Sequence, residues 1–213
     1  MKRYLILSWA LVLVASTRLL GSPSQWECEP ISWDQTPELT DGLFTATIQT
    51  RCSVLDDRPE GIAWLYEKLQ EEYKKSEKYR IHEGPSPIQK GSHQGLLYDL
   101  TDKVSEDGND LAIRQKVELW TDGKKELTYH TTSREIQATG TAAYLKHVWF
   151  RTQVAREQDH YKVLLQNHVE IEKPWFALSF LFKPMSASIT QDKFEIARDR
   201  LIQHLLSQPQ LNH

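Results

Sequence analysis

The chain has 213 residues, 39% of them hydrophobic and 26% charged, with a mean hydropathy of −0.55 and a formal net charge of −3. Such a balance describes a globular domain with a sizeable core and excludes a disordered chain. A mildly acidic chain without a long run of like charge also has no general electrostatic pull toward nucleic acid or anionic lipid.

The first residues, MKRYLILSWALVLVAST, differ from the rest. Lys2 and Arg3 precede an apolar stretch from Tyr4 to Ala15, and small or polar residues follow. This is the layout of a secretory signal, and its apolar segment is shorter than a spanning helix. Residues 1–21 are therefore expected to be removed, with cleavage anywhere from 16 to 24. Their loss leaves 23 basic residues against 29 acids, a balance of −6. Cys28 follows Gln25-Trp26-Glu27, which lacks the apolar-then-small context of a lipid anchor. Export to a periplasm or the exterior permits disulfides, and Cys28 with Cys52 forms an even pair. A bridge would close a loop of roughly 25 residues and contribute about 3 kcal/mol through loop entropy. Two buried thiols are the alternative.

Residues 22–41 read as irregular. From Gly42 to Val54 the chain alternates: Phe44, Ala46, Ile48 and Cys52 share one parity, Thr45, Thr47 and Arg51 the other, which marks a half-buried strand. Asp56 or Asp57 and Pro59 supply a helix start, followed by Ile62, Leu65, Leu69 and Tyr73 at helical spacing. The stretch Glu83–Pro87 (EGPSP) reads as a loop. A run of strands comes next. Leu96, Tyr98 and Leu100 share a face; so do Leu111, Ile113, Val117 and Leu119 after the turn at Ser105–Asp110. Asp122-Gly123 signals a hairpin, because this pair tolerates the positive φ of a primed turn. Leu127 and Tyr129 mark the return strand, and a separate short strand is expected over 134–138 before a turn at Thr139-Gly140-Thr141. Tyr144, Val148, Phe150 and Val154, then Tyr161, Val163, Leu165, Val169 and Ile171, mark the inward faces of two further strands. The polar linker between these two, Arg156–Asp159, is short enough for antiparallel neighbours. A final helix starts at Ser188 or Thr190, buries Phe194, Ala197, Leu201 and Leu205, and ends before Pro209.

Ahead of that helix, EKPWFALSFLFKPM (172–185) packs Trp175, Phe176, Leu178, Phe180, Leu181 and Phe182 between Pro174 and Pro184. Read as a strand or as helical turns, this segment has no polar face. Three roles fit it: core that completes the sheet or plugs the gap below the last helix, a lid over an apolar pocket stiffened by its prolines, or a docking patch on a membrane or partner.

The order is one strand, a helix, five or six consecutive antiparallel strands and a long amphipathic helix. A strand run must have its apolar face covered, and the last helix is the long element available to cover it. In this order the chain resembles the START-like, or SRPBCC, helix-grip superfamily over residues 42 to 207. The resemblance lies in element order rather than in a residue motif. It implies an α+β fold, a curved antiparallel sheet of six to seven strands gripping the C-terminal helix around an apolar cavity, and binding of lipids, sterols, quinones or polycyclic compounds. The export signal and the heavy 175–182 segment depart from the superfamily's usual pattern.

Catalytic patterns are missing: no HxH, HExxH, CxxC, GxSxG, P-loop or dinucleotide glycine motif occurs. His147 and His168 fall on the outer parity of adjacent strands, without a third ligand at metal spacing. Arg151 and Tyr129 are candidates to orient a polar ligand end, with an outer-face arginine and a core tyrosine as the plainer reading. The expected activity is therefore binding of a hydrophobic small molecule or lipid, with Phe44, Ile48, Tyr98, Tyr129, Phe150, Phe176, Phe180 and Leu201 as its contacts. No cofactor, metal or nucleic-acid partner is expected, and no stable membrane span once the signal is gone. A cyclase- or hydratase-type enzyme on the same scaffold, or an interaction module with a filled core, are the alternatives.

Overall fold

The computed structural model describes residues 26–55, 61–75, 79–106, 109–158 and 160–206. The signal segment, the Asp56/Asp57 helix start and Pro59 lie outside these, as does the side chain of Leu205.

Alternation dictates the framework. Strand β3 (Leu43–Leu55) buries Phe44, Ala46, Ile48, Cys52 and Val54 on one face, as its parity requires. After α1 (Gly61–Lys75) come β4 (Tyr79–Lys90), β5 (His93–Glu106), β6 (Asn109–Thr121), β7 (Glu126–Ala138), β8 (Leu145–Glu157), β9 (His160–Glu172) and α2 (Ser179–Leu206). Each strand from β4 to β9 pairs antiparallel with the next, and β9 pairs with β3, so the first long strand lies beside the last.

The expected α+β architecture is present, with nine strands among the described residues rather than six or seven. The stretch read as irregular contains β1 (Trp26–Cys28) and β2 (Ser32–Thr40), which share the free edge of β3. Cys28 and Cys52 are partners in that pairing and form a disulfide. The EGPSP stretch, read as a loop, lies inside β4, where the register shifts on both sides of Glu83. Gly84 there has φ +100°, and a Cβ on it would strike the Leu97 carbonyl. β4 is an outer strand of the sheet, where prolines remove no needed ladder bond. The strand expected over 134–138 is continuous with 126–133, and the turn at 139–141 opens a short 3-10 helix, Gly140–Tyr144.

The hairpin signal at Asp122-Gly123 is resolved by a longer loop than a two-residue turn. Thr121 pairs with Leu127, and the Asp122 Oδ1 accepts the amides of Lys124, Lys125 and Glu126 at 2.8–2.9 Å. Burial opposes the charge on Asp122, but the three amides prevail and hold its carboxyl at about 2.

The last helix starts near Ser179, well before Ser188, and includes Pro184. Thr190 is therefore not its cap: its hydroxyl donates to the Ser186 carbonyl one turn back, at 2.8 Å. Phe194, Ala197 and Ile202 are buried, while Leu201 is half-buried. Glu195, Arg200 and Gln203 face solvent as expected; Arg198 is held by Glu195 and Asp199 instead. α2 packs on β3 with contacts to β2 and β9, whereas α1 covers β6 and β7. Between them the two helices close the inner face of the sheet.

Candidate ligand-binding site

Register lines the inner face up in rungs. One runs Tyr98 (β5), Val117 (β6), Thr131 (β7), Phe150 (β8), Asn167 (β9) and Ile48 (β3). Its neighbour runs Leu96, Leu119, Tyr129, Thr152, Leu165 and Thr50. Five of the eight sequence-predicted contacts, Ile48, Tyr98, Tyr129, Phe150 and Phe44, therefore point inward from one surface. Leu201 of α2 packs against the same cluster as the first four, and Phe44 belongs to an adjoining cluster with Val169 and Phe182. Phe44, Ile48 and Tyr98 expose no surface, and Tyr129 and Phe150 are buried.

The remaining two, Phe176 and Phe180, lie elsewhere. Trp175 is 90% exposed, Phe176 62% and Phe180 72%, so the 175–182 segment is not core. Of its large side chains Phe182 turns inward, edge-on to Phe44 at 6.5 Å, and the small Ala177 packs partly buried against the same cluster. The turn Lys173–Ala177 is held by the Lys173 ammonium donating to the Ala177 carbonyl at 2.9 Å and by the Ala177 amide donating to Pro174.

Sequence reasoning missed the contribution of α1. Tyr73 stands 5.1 Å from Tyr79, 5.2 Å from Tyr98 and 6.4 Å from Tyr129, ring centre to ring centre. Its hydroxyl donates to Tyr129 at 2.5 Å. Burial pushes the Tyr98 hydroxyl above its ordinary range, with Tyr66 adding to the shift. Tyr66 is raised by burial as well. These phenols are neutral hydrogen-bonding groups in an apolar setting and not bases.

Four polar atoms stand buried in that setting without a hydrogen-bond partner: Tyr98 Oη, Thr152 Oγ1, Asn167 Oδ1 and Ser186 Oγ. The first three occupy the two adjacent rungs; Ser186 belongs to the buried side of α2. Leaving such an atom unpaired costs about 1–3 kcal/mol, so folded interiors rarely contain several.

The outer face has its own features. His130, Trp149 and His168 run across three strands, with Trp149 stacked on His168 at 5.6 Å and His130 edge-on to Trp149 at 6.0 Å. His147 and His168 approach to 6.1 Å on paired strands, and Thr47 bonds His168. Burial lowers the His130 pKa against the pull of Glu118. Arg151 is on this face too, in an open groove of about 780 Å³ with Trp120 and Trp149, and so does not reach the interior beside Tyr129. Among the described residues no three His, Cys, Asp or Glu side chains are placed to hold a metal ion.

No family model and no curated protein matches the chain. Solved structures show likeness, two of which are as follows. The lipid transfer and protein localization domain of human StarD13 is 14% identical, with 76% of this chain and 87% of that one covered and a TM-score of 0.32. A STAR-related lipid transfer protein fragment from Xanthomonas axonopodis is 9% identical, with 84% and 99% covered and a TM-score of 0.37. At such scores the likenesses carry no weight for function.

Proposed function

We propose that the protein is an exported binder of a hydrophobic small molecule or lipid, taken up between the sheet and α2. The observation that carries this reading is the set of four buried, unpartnered polar atoms in an otherwise apolar interior. A packed core gains nothing from Asn167 or Ser186, whereas a guest with an apolar body and one hydroxyl, carbonyl or carboxyl group would satisfy them. Phe44, Ile48, Tyr98, Tyr129, Phe150 and Leu201 would line the guest's apolar body. Because Phe44 and Ile48 on β3 expose no surface under α2, and Tyr98 none beside Tyr73 of α1, uptake would require α2 to lift from β3 and β9 and α1 to yield at Tyr73. Phe176 and Phe180 stand at the start of α2, where they would meet the guest on entry. Burying about 400 Å² of apolar ligand surface at ~25 cal/mol per Å² supplies roughly 10 kcal/mol before the association cost.

Export rests on the basic-then-apolar N-terminus, and the disulfide is compatible with it. None of the described helices is long and apolar enough to cross a membrane.

The direct test is organic extraction of the purified protein followed by mass spectrometry, with reloading from a panel of fatty acids, sterols and quinones. About one equivalent of an apolar compound is expected. Failure both to recover and to load any compound would remove the reading.

A further inference from the structure

The start of α2 contradicts its own surroundings. In its first two turns, Phe182 and Ser186 face the sheet, yet the opposite side is also apolar. Phe180 and Pro184 form one i,i+4 pair and Leu181 and Met185 another, giving an unbroken arc on the side away from Phe182. All four are exposed, Phe180 at 72%, Leu181 at 49% and Met185 at 40%. The preceding turn adds Trp175 and Phe176, edge-on to each other at 5.8 Å, and Leu178 at 58% exposure. A large apolar arc on the outer side of a helix belongs in a protein interior or in lipid, and this one stands in water.

Charge identifies what covers it. From Lys173 to Gln191 the chain has two lysines and no acid, within a protein whose overall balance is −3, or −6 without residues 1–21. That overall balance works against long-range attraction to anionic surfaces, but beyond about 8–10 Å it is screened at ordinary ionic strength. At contact the patch presents its own Lys183, exposed on the turn that carries Phe180. A second copy would bring like charges together. A bilayer surface suits the arrangement better: a tryptophan leads, its ring edge-on to Phe176 with Phe180 exposed on the next turn, and lysine is placed to reach headgroups.

We infer that the segment Trp175–Met185 is a docking surface for the face of a lipid bilayer, with the rings inserted among the acyl chains and Lys183 at the phosphates. The protein would then sit on a membrane without spanning it. The inference stands whether or not the interior takes a ligand.

The test is flotation of the purified protein with phosphatidylcholine vesicles, with and without 30% phosphatidylglycerol. Comparison variants are Trp175→Ser/Phe180→Ser and Lys183→Glu; both sites are exposed, so unchanged thermal unfolding verifies their fold. Expected are flotation of the native protein, a loss of at least about tenfold in the double variant, and a severalfold loss in Lys183→Glu confined to anionic vesicles. A blue shift of emission on vesicle addition is expected to shrink in the double variant. Absence of flotation with either vesicle overturns the inference, and so does flotation that the double variant leaves intact. A dimer in lipid-free sedimentation that the double variant abolishes also overturns it, by assigning the patch to a second copy.

Discussion

The two halves of α2 obey opposite rules. From Phe194 to Gln203 the helix buries Phe194, Ala197 and Ile202 and turns Glu195, Arg200 and Gln203 to water, with Ile196 the one large apolar side chain exposed among the described residues there. From Ser179 to Met185 it has no charged residue but Lys183, buries Phe182, and leaves Phe180, Leu181 and Met185 exposed. The first half of this contrast is amphipathic packing that stabilises a fold; the second is apolar surface that folding leaves unspent. Apolar content alone therefore does not locate a core, and what separates the two stretches is whether a polar face exists to accept water.

Stability measurements can sharpen that contrast. The largest effect is expected at Phe194, where Phe194→Ala should cost about 3–5 kcal/mol in denaturant unfolding through lost burial and a cavity. Phe180→Ala and Trp175→Ala should each stay within about 0.5 kcal/mol of the native protein. A large loss at Trp175 would mean that the exposed segment is held in the fold after all. Next in size is the disulfide: Cys28→Ser with Cys52→Ser should lower stability by about 3 kcal/mol, chiefly by returning loop entropy to the unfolded chain.

A smaller effect tests the loop between β6 and β7. Asp122→Ala removes the acceptor for three amides and should cost about 1–2 kcal/mol at neutral pH. Since the folded carboxyl titrates at about 2 and the unfolded one near the ordinary 3.8, its contribution is present above pH ~4 and disappears as the pH falls toward 2. The native protein should therefore lose more stability across that window than the variant does. Equal slopes in acid titrations of the two would contradict the assignment.

Smallest in stability but most informative for function is Tyr98→Phe. Removing an unpartnered buried hydroxyl should leave the unliganded fold unchanged or up to about 1 kcal/mol more stable. Affinity for a loaded lipid should fall severalfold, because the hydroxyl is assigned to the guest's polar end. A variant that is clearly less stable would show that Tyr98 Oη has a structural partner.

Much of this was legible in the sequence, for one reason: a sheet with a covered face imposes strict parity. The alternation at Phe44, Ala46, Ile48 and at Val163, Leu165, Val169 placed those residues inward without coordinates. What parity does not encode is pairing between distant strands, so the adjacency of β3 and β9 and the resulting Ile48–Asn167–Phe150 rung came only from the structure. Where alternation fails, strands disappear from view. β2 has shifts on both sides of Gln35, and β4 has shifts on both sides of Glu83 with two prolines nearby, so the first read as irregular and the middle of the second, Glu83–Pro87, as a loop. Pro184 misled in a similar way: taken as a boundary, it hid the first turns of α2. The polar members of the interior were hidden because Asn167, Thr152 and Ser186 look like ordinary surface residues until register and helix face turn them inward. The outward placement of Phe176 and Phe180 was one of three readings of a segment without a polar face, and the sequence could not choose it, since exposed aromatics are the exception in any folded chain.

The measurement that bears most directly on the account is photo-crosslinking with a diazirine-bearing fatty acid, followed by peptide mapping of the labelled sites. Adducts are expected on inward-facing residues of β3, β8, β9 and the Ser186–Leu201 side of α2, and Tyr98→Phe should reduce them. Labelling confined to Trp175–Met185 or to the outer groove around Trp120 and Trp149, with the inner face untouched, would contradict a guest held between sheet and helix.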